Sequence, residues 1–145
     1  MTGKAIRCSV AAVVRREAGG PLLAVRRPLD DDSLPGIWGL PAVTLKEGEL
    51  PEEGLRRLGV EKLNVTLEPR RLIGIKAADR HSYQLILMDI EAVVVEGTPA
   101  VRAATTDATR YIEQQWVEDL GIFAEAAANG SVCAQVLLEA NSYEY

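Results

Sequence analysis

The chain has 145 residues, 48% of them apolar and 26% charged, with a formal net charge of −5. That length suits one domain and buries roughly two thirds of the unfolded chain's surface. The acidic balance argues against duplex nucleic acid, because that binding runs on clustered Lys and Arg; a small phosphorylated ligand stays open, since one basic patch or one cation would serve it.

Cys8 and Cys133 form no CxxC and no Cys/His cluster, so structural zinc is not indicated and both read as buried free thiols. The start "MTGKAIRCSV" lacks a signal peptide's long apolar segment, and no apolar run approaches the ~20 residues of a membrane helix. The expected location is the cytoplasm, with no membrane partner.

In chain order, "AIRCSVAAVVRRE" is rich in β-branched and small apolar residues and reads as a strand. Gly19 and Gly20 turn the chain, and "LLAVRR" answers as an antiparallel partner. "PLDDDSLPGIWG" has no periodicity and reads as a loop, and "LPAVTL" as a short extended piece. Pro51 suits a helix's first position, Glu52 and Glu53 face the positive end of its dipole, and Lys62 falls in its last turn. Asn64 tolerates the left-handed conformation that ends a helix. The segment 51–63 is therefore predicted as a helix, weakened by Gly54 and Gly59 at about 1 kcal/mol each relative to Ala.

"RRLIGIK" is a strand, and "SYQLILMDIEAVVVEG" a longer one. Leu85 and Leu87 face one side of it while Ile86, Met88 and Ile90 face the other, as in a central strand covered on both faces. "RYIEQQWV" reads as a further strand. "EDLGIFAEAAAN" is a helix ended at Asn129-Gly130, and Ser131 is placed to cap a last one, "VCAQVLLEA". This order implies an α/β fold with a mixed sheet between helices.

The chain also resembles the Nudix (MutT-like) hydrolase family. That family's box is G, five residues, E, seven residues, R-E-U-x-E-E-x-G-U, with U a bulky aliphatic. Glu49, Arg57, Glu61, Leu63 and Val65 fall in its register. "LLAVRRP" resembles the family's second strand, "GIWGLPA" the W-x-L-P-G segment, "HSYQLILMDIEAVVVEG" the long strand after the box and "EQQWVEDL" the late Glu…Trp strand. The resemblance covers residues 6 to 125 and implies a Nudix α/β/α sandwich. It also implies a Mg²⁺- or Mn²⁺-dependent pyrophosphohydrolase of the nucleoside-diphosphate-linked lineage, acting on a nucleotide or other phosphorylated small molecule. Homodimers are common in the family.

Departures from the box bear on that activity. Ala42 and Val43 stand at the opening glycine positions, Leu58 at the first glutamate of R-E, Lys62 at the second of E-E and Asn64 at the final glycine. Mg²⁺ takes hard oxygen ligands, and positions 58, 61 and 62 share one helical face. Here that face reads Leu, Glu, Lys. A lysine ~5 Å from a divalent ion is repelled by several kcal/mol at an effective dielectric of ~20. Any Mg²⁺ is expected to bind weakly.

Each candidate has a plain alternative. Glu61 is either a residual metal or water contact or a solvated acid. Glu49 and Arg57 are a brace in the family pattern, and Leu58 packs beside Leu55. Lys62 is a dipole-complementing surface lysine or a phosphate contact in the metal's place. Glu113 or Asp107 could bring a late carboxylate. Arg26 and Arg27 could meet phosphates, one of them being only a surface charge. Trp38 could stack on a base or anchor its loop. His81 reads as a strand-start hydrogen-bonding group, the alternative being a base or ligand; Tyr83 reads as core, the alternative being the tyrosine that some dinucleoside-polyphosphate hydrolases of the family carry at about this spacing after the box. Three readings follow: a weak pyrophosphohydrolase, a non-catalytic nucleotide-binding or regulatory module, or an interaction domain with an unused cleft.

Overall fold

The computed structural model describes residues 4–103 and 110–142. Strands run over Ala5–Arg15 (β1), Leu22–Arg26 (β2), Trp38–Gly39 (β3) and Ala42–Thr44 (β4). Helix Pro51–Leu58 (α1) is followed by a π-helical turn, Gly59–Leu63. The long strands Thr66–Arg80 (β5) and Tyr83–Glu96 (β6) come next, then Glu113–Val117 (β7) and the helices Ala124–Ala128 (α2) and Val132–Ser142 (α3). Among these residues no helix is long and apolar enough to cross a membrane.

The strands form one mixed sheet in the order β3-β2-β1-β6-β5, with β4 pairing β1 and β7 pairing β2. β1 and β6 run parallel from Ala5↔Tyr83 to Arg15↔Val93, and the other pairs are antiparallel. Every residue from Ser9 to Val14 is buried, because β1 is covered on both faces. Val10, Ala12 and Val14 meet Leu55, Leu58 and Leu63 of the α1 segment. Ala11 and Val13 belong to the opposite core with Phe123, Ala126, Val136 and Leu137. The expected α/β/α sandwich is present, and β6 lies centrally with Leu87 in one core and Ile90 in the other.

β1 forks the sheet. On its free side, Ser9–Ala11 pair with β4 while Arg15 pairs with Leu22 of β2. That divergence leaves room for a cleft and, among the described residues, gives β4 one edge without a strand neighbour.

Several boundaries differ from the sequence expectation. Helix 51–63 begins as predicted, with Pro51 first and the Glu53 carboxylate accepting from Leu50 N–H at 2.8 Å. After Leu58 it widens into the π turn and closes on Asn64 at φ 59° and ψ 39°. The strand read over 70–76 extends to the whole of β5, and the predicted helix 118–129 opens as a 3₁₀ turn, Leu120–Phe123. There the Asp119 side chain accepts from Gly121 N–H at 2.8 Å, which favours the tighter turn.

Candidate functional site

A cleft of about 650 Å³ opens at the fork, a size suited to a small ligand. Its wall takes Arg7 and Ser9 from β1, Arg27 just past β2, Ala42–Thr44 of β4, Arg57 of α1 and Lys62 of the π turn. Arg80 and Tyr83 enter from the β5–β6 hairpin, Tyr111 from before β7, and 129–133 from the turn into α3. Five cations line it, and among the described residues no Asp or Glu does. In a chain of net charge −5 that separation gives the cleft a positive local potential.

Glu49 and Arg57 form a two-pronged ion pair, with Nε and Nη2 of Arg57 each donating to a carboxylate oxygen at 2.9 Å. Lys46 N–H also donates to Glu49 at 3.0 Å, and Arg57 Nη2 reaches the Thr44 carbonyl at 2.9 Å. The Arg57 hydrogen bonds, opposed by burial, hold the Glu49 carboxyl down at about 2. Arg57 thus ties the loop before α1 to β4. Its Nη1 approaches Glu61 at 3.4 Å, so the half-buried Glu61 carboxylate also faces a guanidinium.

Lys62 corrects the surface-lysine reading: it is 5% exposed. Its Nζ donates to the Ala42 carbonyl at 2.7 Å and lies 5.3 Å from the centre of the Tyr111 ring. The reason is the bare edge of β4. Ala42 directs its peptide groups away from β1; its N–H donates to Tyr111 Oη at 2.9 Å and its carbonyl accepts from Lys62. Burial first, then the Arg27 and Arg57 charges, pull the Lys62 ammonium down to about 8, against an opposing pull from Glu61. Leu58, fully buried, is core.

The remaining candidates separate. Arg27 lines the cleft and pairs with Asp31 at 3.3 Å. Arg26 does not line it; it donates to the Gly36 carbonyl at 2.8 Å and to Glu113 at 2.7 Å, its register partner across β2 and β7. Glu113 is therefore held by Arg26, away from the α1 segment. Trp38 is half-buried against the α2–α3 core and outside the cleft wall. Tyr83, read as core, lines the cleft beneath Arg7, whose guanidinium carbon lies 4.0 Å from its ring centre. His81 is exposed in the hairpin turn. Cys133 is buried and Cys8 half-buried. Asp107 lies outside the described residues.

Arg7, Arg80 and Tyr111 were missed from the sequence. Arg7 carried a usable signal, since it shares the odd-numbered face of β1 with Ser9 and stands beside Leu85 of β6. Arg80 and Tyr111 carried none, because hairpin register and loop path place them.

These side chains are a poor seat for a divalent cation. Glu49 and Glu61 both face Arg57, position 58 is a core leucine, and position 62 presents an ammonium. Among the described residues no three of His, Cys, Asp and Glu gather into a group fit to hold a metal. The donor set does not fit Mg²⁺.

An α/β/α sandwich with a cation-lined cleft where its sheet divides describes the molecule. The sequence model of the NUDIX domain matches residues 6–127, and the chain belongs to the Nudix family. Among solved structures it resembles a MutT protein from Methanosarcina mazei, at 21% identity over 98% of this chain and 97% of that one, with a TM-score of 0.73. A NUDIX hydrolase from Nitrosomonas europaea matches at 19% identity over 94% and 88%, TM-score 0.70. An ADP-ribose pyrophosphatase from Streptococcus suis matches at 15% identity over 96% and 94%, TM-score 0.59. No curated protein matches the chain.

Proposed function

We propose that this chain is a nucleotide-binding Nudix module that holds a phosphorylated ligand in the fork cleft without metal-dependent turnover. The observation that carries this reading is the wall itself: Arg7, Arg27, Arg57, Lys62 and Arg80 line it, and among the described residues no carboxylate does. Polyphosphate needs positive charge and hydrogen-bond donors, and guanidinium groups supply both. Hydrolysis of a diphosphate by the family's metal route needs carboxylates that collect cations and activate water. Glu49 and Glu61 instead meet Arg57.

The names of two solved structures with this fold support a choice of ligand class. One is an ADP-ribose pyrophosphatase and another a MutT protein, so a nucleoside diphosphate or its sugar-linked form is the first ligand to try. Calorimetry with ADP, ADP-ribose and inorganic pyrophosphate in EDTA is expected to show binding. Incubation of the same compounds with Mg²⁺ or Mn²⁺ is expected to leave the diphosphate intact, with no release of AMP, ribose 5-phosphate or orthophosphate. Metal-dependent release that Glu61→Gln abolishes would make the chain a pyrophosphohydrolase and end this reading.

A further inference from the structure

We infer that the Lys62 ammonium is a built-in counter-ion for the bound phosphate, standing in for a divalent cation and making binding independent of metal. The inference rests on the binding reading above and adds which group replaces the metal. Lys62 Nζ has a defined seat: the residue is buried, the Ala42 carbonyl takes one N–H at 2.7 Å, and the Tyr111 ring centre lies 5.3 Å from it. An ammonium has three donors. The Ala42 carbonyl takes one, and the residue lines the cleft with Arg27 and Arg57, whose guanidiniums repel its charge. Those arginines have carboxylate partners, Asp31 and Glu49, neither of which lines the cleft. Among the described residues no carboxylate lines the cleft, Glu61 lying on the lysine's own turn, so an incoming anion relieves a cation held among cations. A phosphate there can accept a charge-assisted hydrogen bond from Lys62, and Lys62, Arg27 and Arg57 lose mutual repulsion. A divalent ion entering the same space would add to it.

Binding should then follow the protonation of Lys62. The groups around the ammonium are Arg27 from the loop after β2, Arg57 from α1, Glu61 from its own turn and Tyr111 from before β7. Tyr111 is pushed up to about 12 by burial, and burial also raises Cys133 across the cleft. Asp89 lies behind Cys133 and is itself raised to about 8, so a variant must separate its titration from that of Lys62.

The test is calorimetric titration of pyrophosphate and ADP into the wild type, Lys62→Met and Lys62→Arg. It is run in EDTA and in Mg²⁺ from pH 6.5 to 9.5, with circular dichroism to establish folding. Wild type is expected to bind equally well or better in EDTA, with affinity falling up to tenfold per pH unit above the Lys62 midpoint. Lys62→Met should lose about ten- to a hundredfold, the range for one charged hydrogen bond. Lys62→Arg should keep most of the affinity while flattening the alkaline fall, which Asp89 titration would leave intact. Wild-type binding that requires Mg²⁺, or a folded Lys62→Met that binds as tightly as wild type, overturns the inference while leaving a binding module. Absence of wild-type binding to either ligand overturns both.

Discussion

Asp89 shows how far one residue departs from its surroundings. It sits mid-strand in β6, between Ala11 and Gly74, fully buried. Among the described residues neither carboxylate oxygen has a hydrogen-bond partner. Burial pushes it up to about 8, so the folded chain keeps a proton there that the unfolded chain releases near pH 4. The folded state thus binds the extra proton between those values, and stability falls as pH rises through that window. Glu49, held down at about 2, contributes stability above its unfolded value of 4.5 and loses it only in acid. Lys62, lowered from 10.5 to about 8, regains stability only above pH 8. The interval from pH 5 to 8 therefore isolates Asp89. Thermal melts should show Tm falling across it by up to roughly 10 °C, and Asp89→Asn should remove that slope. A slope unchanged in Asp89→Asn would assign the pH dependence to another group.

At the scale of elements, the α1 segment divides what its sequence conveys from what it conceals. Its start was legible, because Pro51 and Glu53 act locally, and so was its end at Asn64. The π turn between them was not. Gly54 and Gly59 read as weaknesses because propensity counts only backbone entropy. Both are buried, and contact decides them: a methyl on Gly54 would overlap Leu45 Cδ2. One on Gly59 would lie 2.8 Å from Leu67 Cγ and 3.0 Å from the Val65 carbonyl oxygen. Leu45 Cδ2 is the far end of a half-buried side chain and can shift more cheaply than a backbone carbonyl and a fully buried leucine. Gly59→Ala should gain about 1 kcal/mol of helix propensity and lose about 1–3 kcal/mol to overpacking. Urea denaturation should thus give a net loss near 1 kcal/mol, with a smaller effect for Gly54→Ala. A stabilised Gly59→Ala would mean the turn relaxes at no cost. The same contact logic hid Lys62: spacing put it in a last turn near solvent, whereas the exposed edge of β4 draws it inward to the Ala42 carbonyl.

For the molecule as a whole, strand periodicity conveyed the layers, since Val10, Ala12 and Val14 alternate with Ala11 and Val13 into two cores. The cleft was less legible because it belongs to neither layer. Arg57 and Lys62 come from the α1 side, Ser131 and Cys133 from the turn into α3, and Arg80 and Tyr83 from a hairpin 18 residues and more away in sequence from Lys62. Arg80 already crosses this divide, donating to the Gly130 carbonyl at 2.9 Å. A ligand contacting both sides is bound only while the fork and the α2–α3 turn are in place, so its binding energy adds to the folding of both layers together. At a free concentration of 100 times Kd that addition is about 2.7 kcal/mol, or a rise in Tm of roughly 6–10 °C at this chain length. Scanning calorimetry with saturating ADP in EDTA should show one transition moved upward by that amount. Hydrogen exchange should slow both around Lys62 and around Ser131. Protection confined to the α1 side would restrict the ligand to Lys62 and Arg57 and remove Arg7 and Arg80 from the site.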